Sequence, residues 1–138
     1  MGLARGWGFP LLVLVSLLAL LQYFLFGTLV SRARARYGVS APAVSGHEIF
    51  ERYFRVQMNT LELLVMFLPA LWFASFYVAP IWPLLLGVLY LLGRLLYLRG
   101  YVADPRQRGP GFGLSMLPIL VLILIALVGC IRQLILFH

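Results

Sequence analysis

The sequence predicts an all-α membrane protein, a bundle of four transmembrane helices, and three observations carry that prediction. The first is composition. Of 138 residues, 63% are hydrophobic and only 11% are charged, where a soluble domain has about a quarter of its residues charged. The second is the gathering of the apolar residues into four runs, each near the ~20 residues that a spanning helix needs. The third is charge. All 11 basic residues are arginines, set against 4 acids for a formal charge of +7, and most fall in short connections between the runs. In a soluble protein that balance would suggest nucleic acid. Here the aromatics lie inside the apolar runs, which argues against nucleic acid and for anionic headgroups or small anionic molecules as partners. Residues 1–138 are the length of one compact domain.

The first span is "FPLLVLVSLLALLQYFLFGTLV", extended by "SRARAR" into a helix over about 9–36. Arg5 precedes it, but the run is too long for a signal peptide's apolar region and no small-residue cleavage site follows, so the span is expected to be retained. Gly38, Pro42 and Gly46 then punctuate a loop. Ser45 is placed to cap the second helix, with Glu48 three residues on as its capping-box partner. That helix is predicted over about 46–77, longer than the hydrocarbon core at about 1.5 Å per residue, so its first turns reach the headgroups. "VAPIWP" makes an uncharged turn. The third helix is predicted over about 81–102, "ADPRQRGPG" as a polar loop, and the fourth helix over about 112–137. Cys130, the only cysteine, lies in this last run; it excludes an intrachain disulfide and reads as a small hydrophobe.

Arginine content orients the bundle. The first and third connections and the helix ends beside them carry Arg32, Arg34, Arg36, Arg52, Arg55, Arg99, Arg106 and Arg108, and the second connection carries none. By the positive-inside rule the arginine-rich end is cytoplasmic and both termini lie opposite.

Two polar stripes begin at that end. Arg55, Asn59 and Glu62 stand at i, i+4 and i+7 on the second helix, and Tyr90, Arg94, Tyr97 and Tyr101 stand on one face of the third. Structural explanations exist: Arg55 and Glu62, or Arg94 and Glu62, could pair inside the bundle, and tyrosines near a span's end anchor it at the interface. Four acids cannot neutralise this many arginines, however. A surplus of guanidinium forks suits a carboxylate ligand, and the lone carboxylate Glu62 suits a ligand amine. A small acidic peptide such as glutathione has both.

"FERYFRVQMNTLE" followed by "LGVLYLLGRLLYLRGY" closely resembles the MAPEG proteins, the membrane-associated proteins in eicosanoid and glutathione metabolism. The likeness runs from the arginine-rich end of the first helix through "APAVSGHEIFER" to "RGPGFGLS" and is closest to the branch of microsomal glutathione transferases and leukotriene synthases. It implies a homotrimer with glutathione bound between subunits near the cytosolic face. By motif position, Arg55, Asn59, Glu62, Tyr97 and Tyr101 look like glutathione contacts, with Arg94 beside them on the same stripe and Gln57 reaching across from a neighbouring subunit. Arg108 falls where the family has the arginine that stabilises the thiolate, and Arg34, which matches the family's basic residue at the end of the first helix, is the second catalytic candidate that the resemblance implies. Two departures, Ala35 between Arg34 and Arg36 and Leu63 directly after Glu62, point away from a dedicated leukotriene synthase and toward a broader transferase.

The implied chemistry needs a thiolate. A guanidinium near the sulfur favours it, and arginine, always protonated, does not serve as the base. Two reactions follow: conjugation of glutathione to a lipophilic electrophile, and glutathione-dependent reduction of a lipid hydroperoxide. No metal is implied. Two other readings stand beside these. One is a non-catalytic lipid-binding or scaffold protein of the same fold. The other is a small transporter, against which the absence of a broken helix argues. The composition suits a bacterial inner membrane or a microsomal one.

Overall fold

A computed structural model describes residues 6–138, so Arg5 lies outside the described residues. Four helices follow one another: α1 (Gly8–Tyr37), α2 (Glu48–Ser75), α3 (Ile81–Ala103) and, after a 3-10 turn over Pro105–Arg108, α4 (Gly109–Leu136). All four are long and apolar enough to cross a membrane. The fold class is therefore as the sequence predicts, and the differences lie at the helix ends.

The start of α2 is one of them. Ser45 does not cap it. His47 is the N-cap, and its Nδ1 accepts the Ile49 N–H at 3.1 Å. The cause is Gly46, whose φ of 141° turns the chain just before the helix in a conformation that suits glycine alone. Ser45 is thereby left outside, and Glu48 is engaged elsewhere, in a 2.6 Å ion pair with Arg52. The other difference concerns "ADPRQRGPG", which is not an open loop. Asp104 caps it by accepting the Arg106 N–H at 3.0 Å, Pro105 at the first position of the turn has its own φ fixed near the helical value, and α4 begins at Gly109, earlier than expected.

The helices alternate in direction. Trp72, near the end of α2, meets Phe9 and donates to Ser16 Oγ at 2.9 Å near the start of α1. At the opposite end Val30 and Ala33 of α1 pack with Phe50 of α2. The main core joins Leu12, Val15 and Ala19 of α1, Phe67 and Leu71 of α2, Tyr90 of α3 and Leu122 of α4. Tyr90 and Phe67 stack at 3.8 Å between centroids. The outer faces of α1 and α4 remain apolar and exposed, as lipid contact requires.

The α3–α4 contact is the closest and is made by small residues, the usual means of bringing spanning helices together. A Cβ at Gly93 would lie 2.7 Å from both the backbone N and Oγ of Ser115. Gly93→Ala is expected to force the two helices apart and cost about 1–3 kcal/mol, seen as a lower melting temperature in detergent; an unchanged melting point would contradict this packing.

Candidate functional site

The arginine-rich end of the bundle is built around two side chains with different tasks. Arg52 fastens the start of α2 to the end of α3. Its Nη1 donates to Val102 O at 2.9 Å and to Ala103 O at 3.2 Å, while Nη2 holds Glu48. The last carbonyls of a helix have no partners of their own and carry its negative dipole end, so a guanidinium satisfies them well.

Arg94 fastens three helices. It is fully buried, with no exposed surface. Its Nε donates to Ser115 Oγ at 2.9 Å, and its Nη1 donates to Asn59 Oδ1 at 2.6 Å and to Thr60 Oγ1 at 3.3 Å. Its guanidinium also lies 4.5 Å from the Tyr97 ring centroid. No carboxylate is among these partners. Neutral dipoles and a ring face hold the cation, and Ser115 itself is fixed by donating to Gly111 O at 2.7 Å. Nη1 thereby fixes the Asn59 amide, and Nη2 has no hydrogen-bond partner among the described residues. The pairing of Arg94 with Glu62 is not formed.

Around this anchor the predicted residues fall into three groups. Arg55 and Tyr101 share a cleft of about 270 Å³ with Glu48, Glu51, Arg52 and Pro105, and Tyr97 stacks on Tyr101 at 5.5 Å. Arg108 is the N-cap residue of α4 and makes no side-chain cap bond there, so its charge stands beside the positive end of that helix's dipole.

The second group is not joined to this cleft within one chain. Glu62 is exposed on α2, about 21 Å along the helix from Glu48. Gln57 lines a separate 510 Å³ hollow with Tyr23, Gly27, Thr28 and Ser31 of α1. The third group is Arg34 alone, which turns back onto its own connection: Nη1 donates to Ala43 O at 2.6 Å, and the guanidinium sits 4.7 Å from the Phe50 ring centroid.

Sequence reasoning missed Arg52, Thr60 and Ser115. A signal for Ser115 was present, since Gly111 and Ser115 are small residues one turn apart on α4, the spacing that admits a close neighbour. The most apolar large groove, about 510 Å³ between α2 and α4 and including Pro69, Phe73 and Cys130, lies at the other end of the bundle. Its Cys130 is about 31 Å along α4 from Gly109.

Asp104 sets the turn that carries Arg108. Hydrogen bonds from the Arg106 side chain and backbone hold its carboxyl below the usual carboxylate value of 3.8. The folded-state value is depressed, so the stabilisation is present at neutral pH and is lost as pH falls below 3.8 through the depressed value. Asp104→Asn is expected to remove that acid-side dependence of the turn; hydrogen exchange at Arg106 and Gln107 that keeps its acid transition in the variant would contradict this.

Comparison with known proteins gives a consistent result. A family model described as "MAPEG family" matches residues 12–128. An uncharacterized protein of Synechocystis sp. is 45% identical over 121 residues, 88% of each chain. Microsomal glutathione S-transferase 2 of Homo sapiens is 39% identical over 119 residues, 86% of this chain and 81% of that one. Leukotriene C4 synthase of Bos taurus is 33% identical over 123 residues, 89% of this chain and 82% of that one.

Proposed function

Because the chain belongs to the MAPEG family, we propose that it is a multi-pass membrane glutathione transferase that joins the glutathione thiolate to lipophilic electrophiles and, by the same thiolate, reduces lipid hydroperoxides. The observation that carries this reading is the cleft at the arginine-rich end, which offers the guanidiniums of Arg52 and Arg55, the carboxylates of Glu48 and Glu51 and the Tyr101 phenol together, with Tyr97 stacked on Tyr101 and the buried Arg94 guanidinium 4.5 Å from the Tyr97 ring centroid. A tripeptide with two carboxylates and one amine can be matched by such a set, with bidentate arginine contacts for its carboxylates.

In this reading Arg55 and Tyr101 bind peptide carboxylate and backbone, Asn59 presents an amide held by Arg94, and Glu62 takes the amine. Arg108 stabilises the thiolate as a fixed positive charge, and the thiol proton leaves to water. The sulfur then attacks an electrophilic carbon, forming the C–S bond as the leaving group departs or a ring opens. An electrophile dissolved in the bilayer reaches the sulfur through the apolar wall.

The functional unit we propose is a homotrimer, with the site between subunits. Glu62 supports this: an exposed carboxylate deep in a spanning helix is costly against lipid, and a neighbouring subunit would cover it. Gln57, set apart from the cleft of its own chain, is then available to the neighbour's site. The arginine-rich end faces the cytoplasm under the positive-inside rule.

Arg55→Ala and Glu62→Ala are each expected to weaken glutathione binding about ten-fold or more, the scale of a lost charge-assisted hydrogen bond. Isothermal titration calorimetry on detergent-purified protein measures it. Unchanged affinity in both variants would overturn the assignment of this face to glutathione.

A further inference from the structure

We propose a second anionic site, distinct from the cleft described above, in which Arg32 and Arg36 bind the phosphate of an anionic phospholipid headgroup. The two arginines stand at i and i+4 on the last turns of α1, and with Leu29, Tyr37 and Tyr53 they line a hollow of about 340 Å³ between α1 and α2. That volume lies at the small end of ligand sites.

The charge inventory leaves this hollow without a counterion. The chain has 4 acids. Glu48 pairs with Arg52 and Asp104 with Arg106. Glu51 accepts the Gly46 N–H at 3.3 Å and lines the other cleft. Glu62 lies farther along α2, about 14 Å from Tyr53. Arg34, between the two arginines in sequence, turns away to Ala43 O and Phe50. Arg32 and Arg36 are both exposed; Arg36 lies 5.6 Å from the Tyr37 ring centroid, a contact that leaves its N–H donors free for phosphate oxygens.

The order of groups along α1 matches a lipid. The helix has 30 residues, about 45 Å against a hydrocarbon core of about 30 Å, so its last turns stand among headgroups. Leu29 is one turn nearer the bilayer centre than Arg32, beside an acyl chain's first methylenes, and the two guanidiniums stand above it at phosphate level. Forked guanidiniums suit phosphate oxygens, and Tyr37 and Tyr53 are residues that favour this interfacial depth. Inorganic phosphate has the same oxygens but no use for the apolar floor, so the lipid is the occupant assigned.

The test is native mass spectrometry of the full chain in detergent with graded phosphatidylglycerol or phosphatidylcholine. The expected result is preferential phosphatidylglycerol adducts on the wild type. Their affinity should fall roughly five-fold in Arg32→Gln and again in Arg36→Gln, ~30-fold in the double variant. Arg99→Gln, an equal charge change at an exposed position of α3, should leave it within two-fold, and circular dichroism should give the same helix content for every variant. Equal losses in Arg99→Gln would reduce the effect to net charge and overturn the proposal. Displacement of the lipid by millimolar orthophosphate would assign the site to free phosphate instead. Displacement by glutathione would make the hollow part of the glutathione site, again against the proposal. Failure of glutathione binding with lipid selectivity intact would contradict the proposed enzyme and leave this site standing.

Discussion

Arg108→Ala is expected to lower turnover about 100-fold while changing glutathione affinity by only a few-fold. In the proposed mechanism the guanidinium's task is to favour thiolate over thiol, and a difference of about two pKa units corresponds to about 2.7 kcal/mol. Arg108 is exposed at the start of α4, where its charge adds to the helix dipole, and its removal leaves no buried group unpaired. Stability should therefore change little. The pH profile should shift with the loss: activity of the variant should recover at alkaline pH, where hydroxide removes the thiol proton without help. Equal losses of binding and turnover, with no alkaline recovery, would make Arg108 an anchor for the peptide instead.

Arg94 should behave in the opposite manner. Arg94→Ala removes the largest fully buried side chain and leaves Asn59, Thr60 and Ser115 without their donor, so a loss of about 3–5 kcal/mol is expected from cavity and unpaired polar groups together. Arg94→Met separates scaffold from function. It fills the space with an apolar chain and so avoids the cavity, while Asn59, Thr60 and Ser115 still lose their donor. Its loss of stability should be about 1–3 kcal/mol, smaller than that of Arg94→Ala. The Asn59 amide would nonetheless lose its 2.6 Å tether, and glutathione affinity should fall about ten-fold. Wild-type affinity in Arg94→Met would show that Asn59 needs no positioning.

The helices could be read from sequence because each is an apolar run of spanning length, a signal that needs no tertiary context. The ends could not, because they depend on single backbone conformations. The His47 cap follows from the φ of Gly46, and "S-x-x-E" at Ser45 and Glu48 gives no warning of it. The site was legible in part. Periodicity put Arg55, Asn59 and Glu62 on one face, but the face is divided in space: Asn59 turns inward to Arg94 while Arg55 and Glu62 stay exposed. The partners of Arg94 were hidden because serine and threonine in an apolar run read as neutral filler, and only the close approach of α3 and α4 gives Ser115 its role. Arg34 was expected among the catalytic groups, and its bond to Ala43 O depends on the path of a loop that periodicity does not describe.

The most direct measurement of the central claim is the ultraviolet thiolate absorbance that develops when glutathione is titrated into the detergent-purified protein at neutral pH, beside a protein-free blank. The account predicts a saturable signal that Arg108→Ala loses while still binding glutathione. A folded sample that gives no thiolate above the blank would contradict it and favour a lipid-binding role for the same fold.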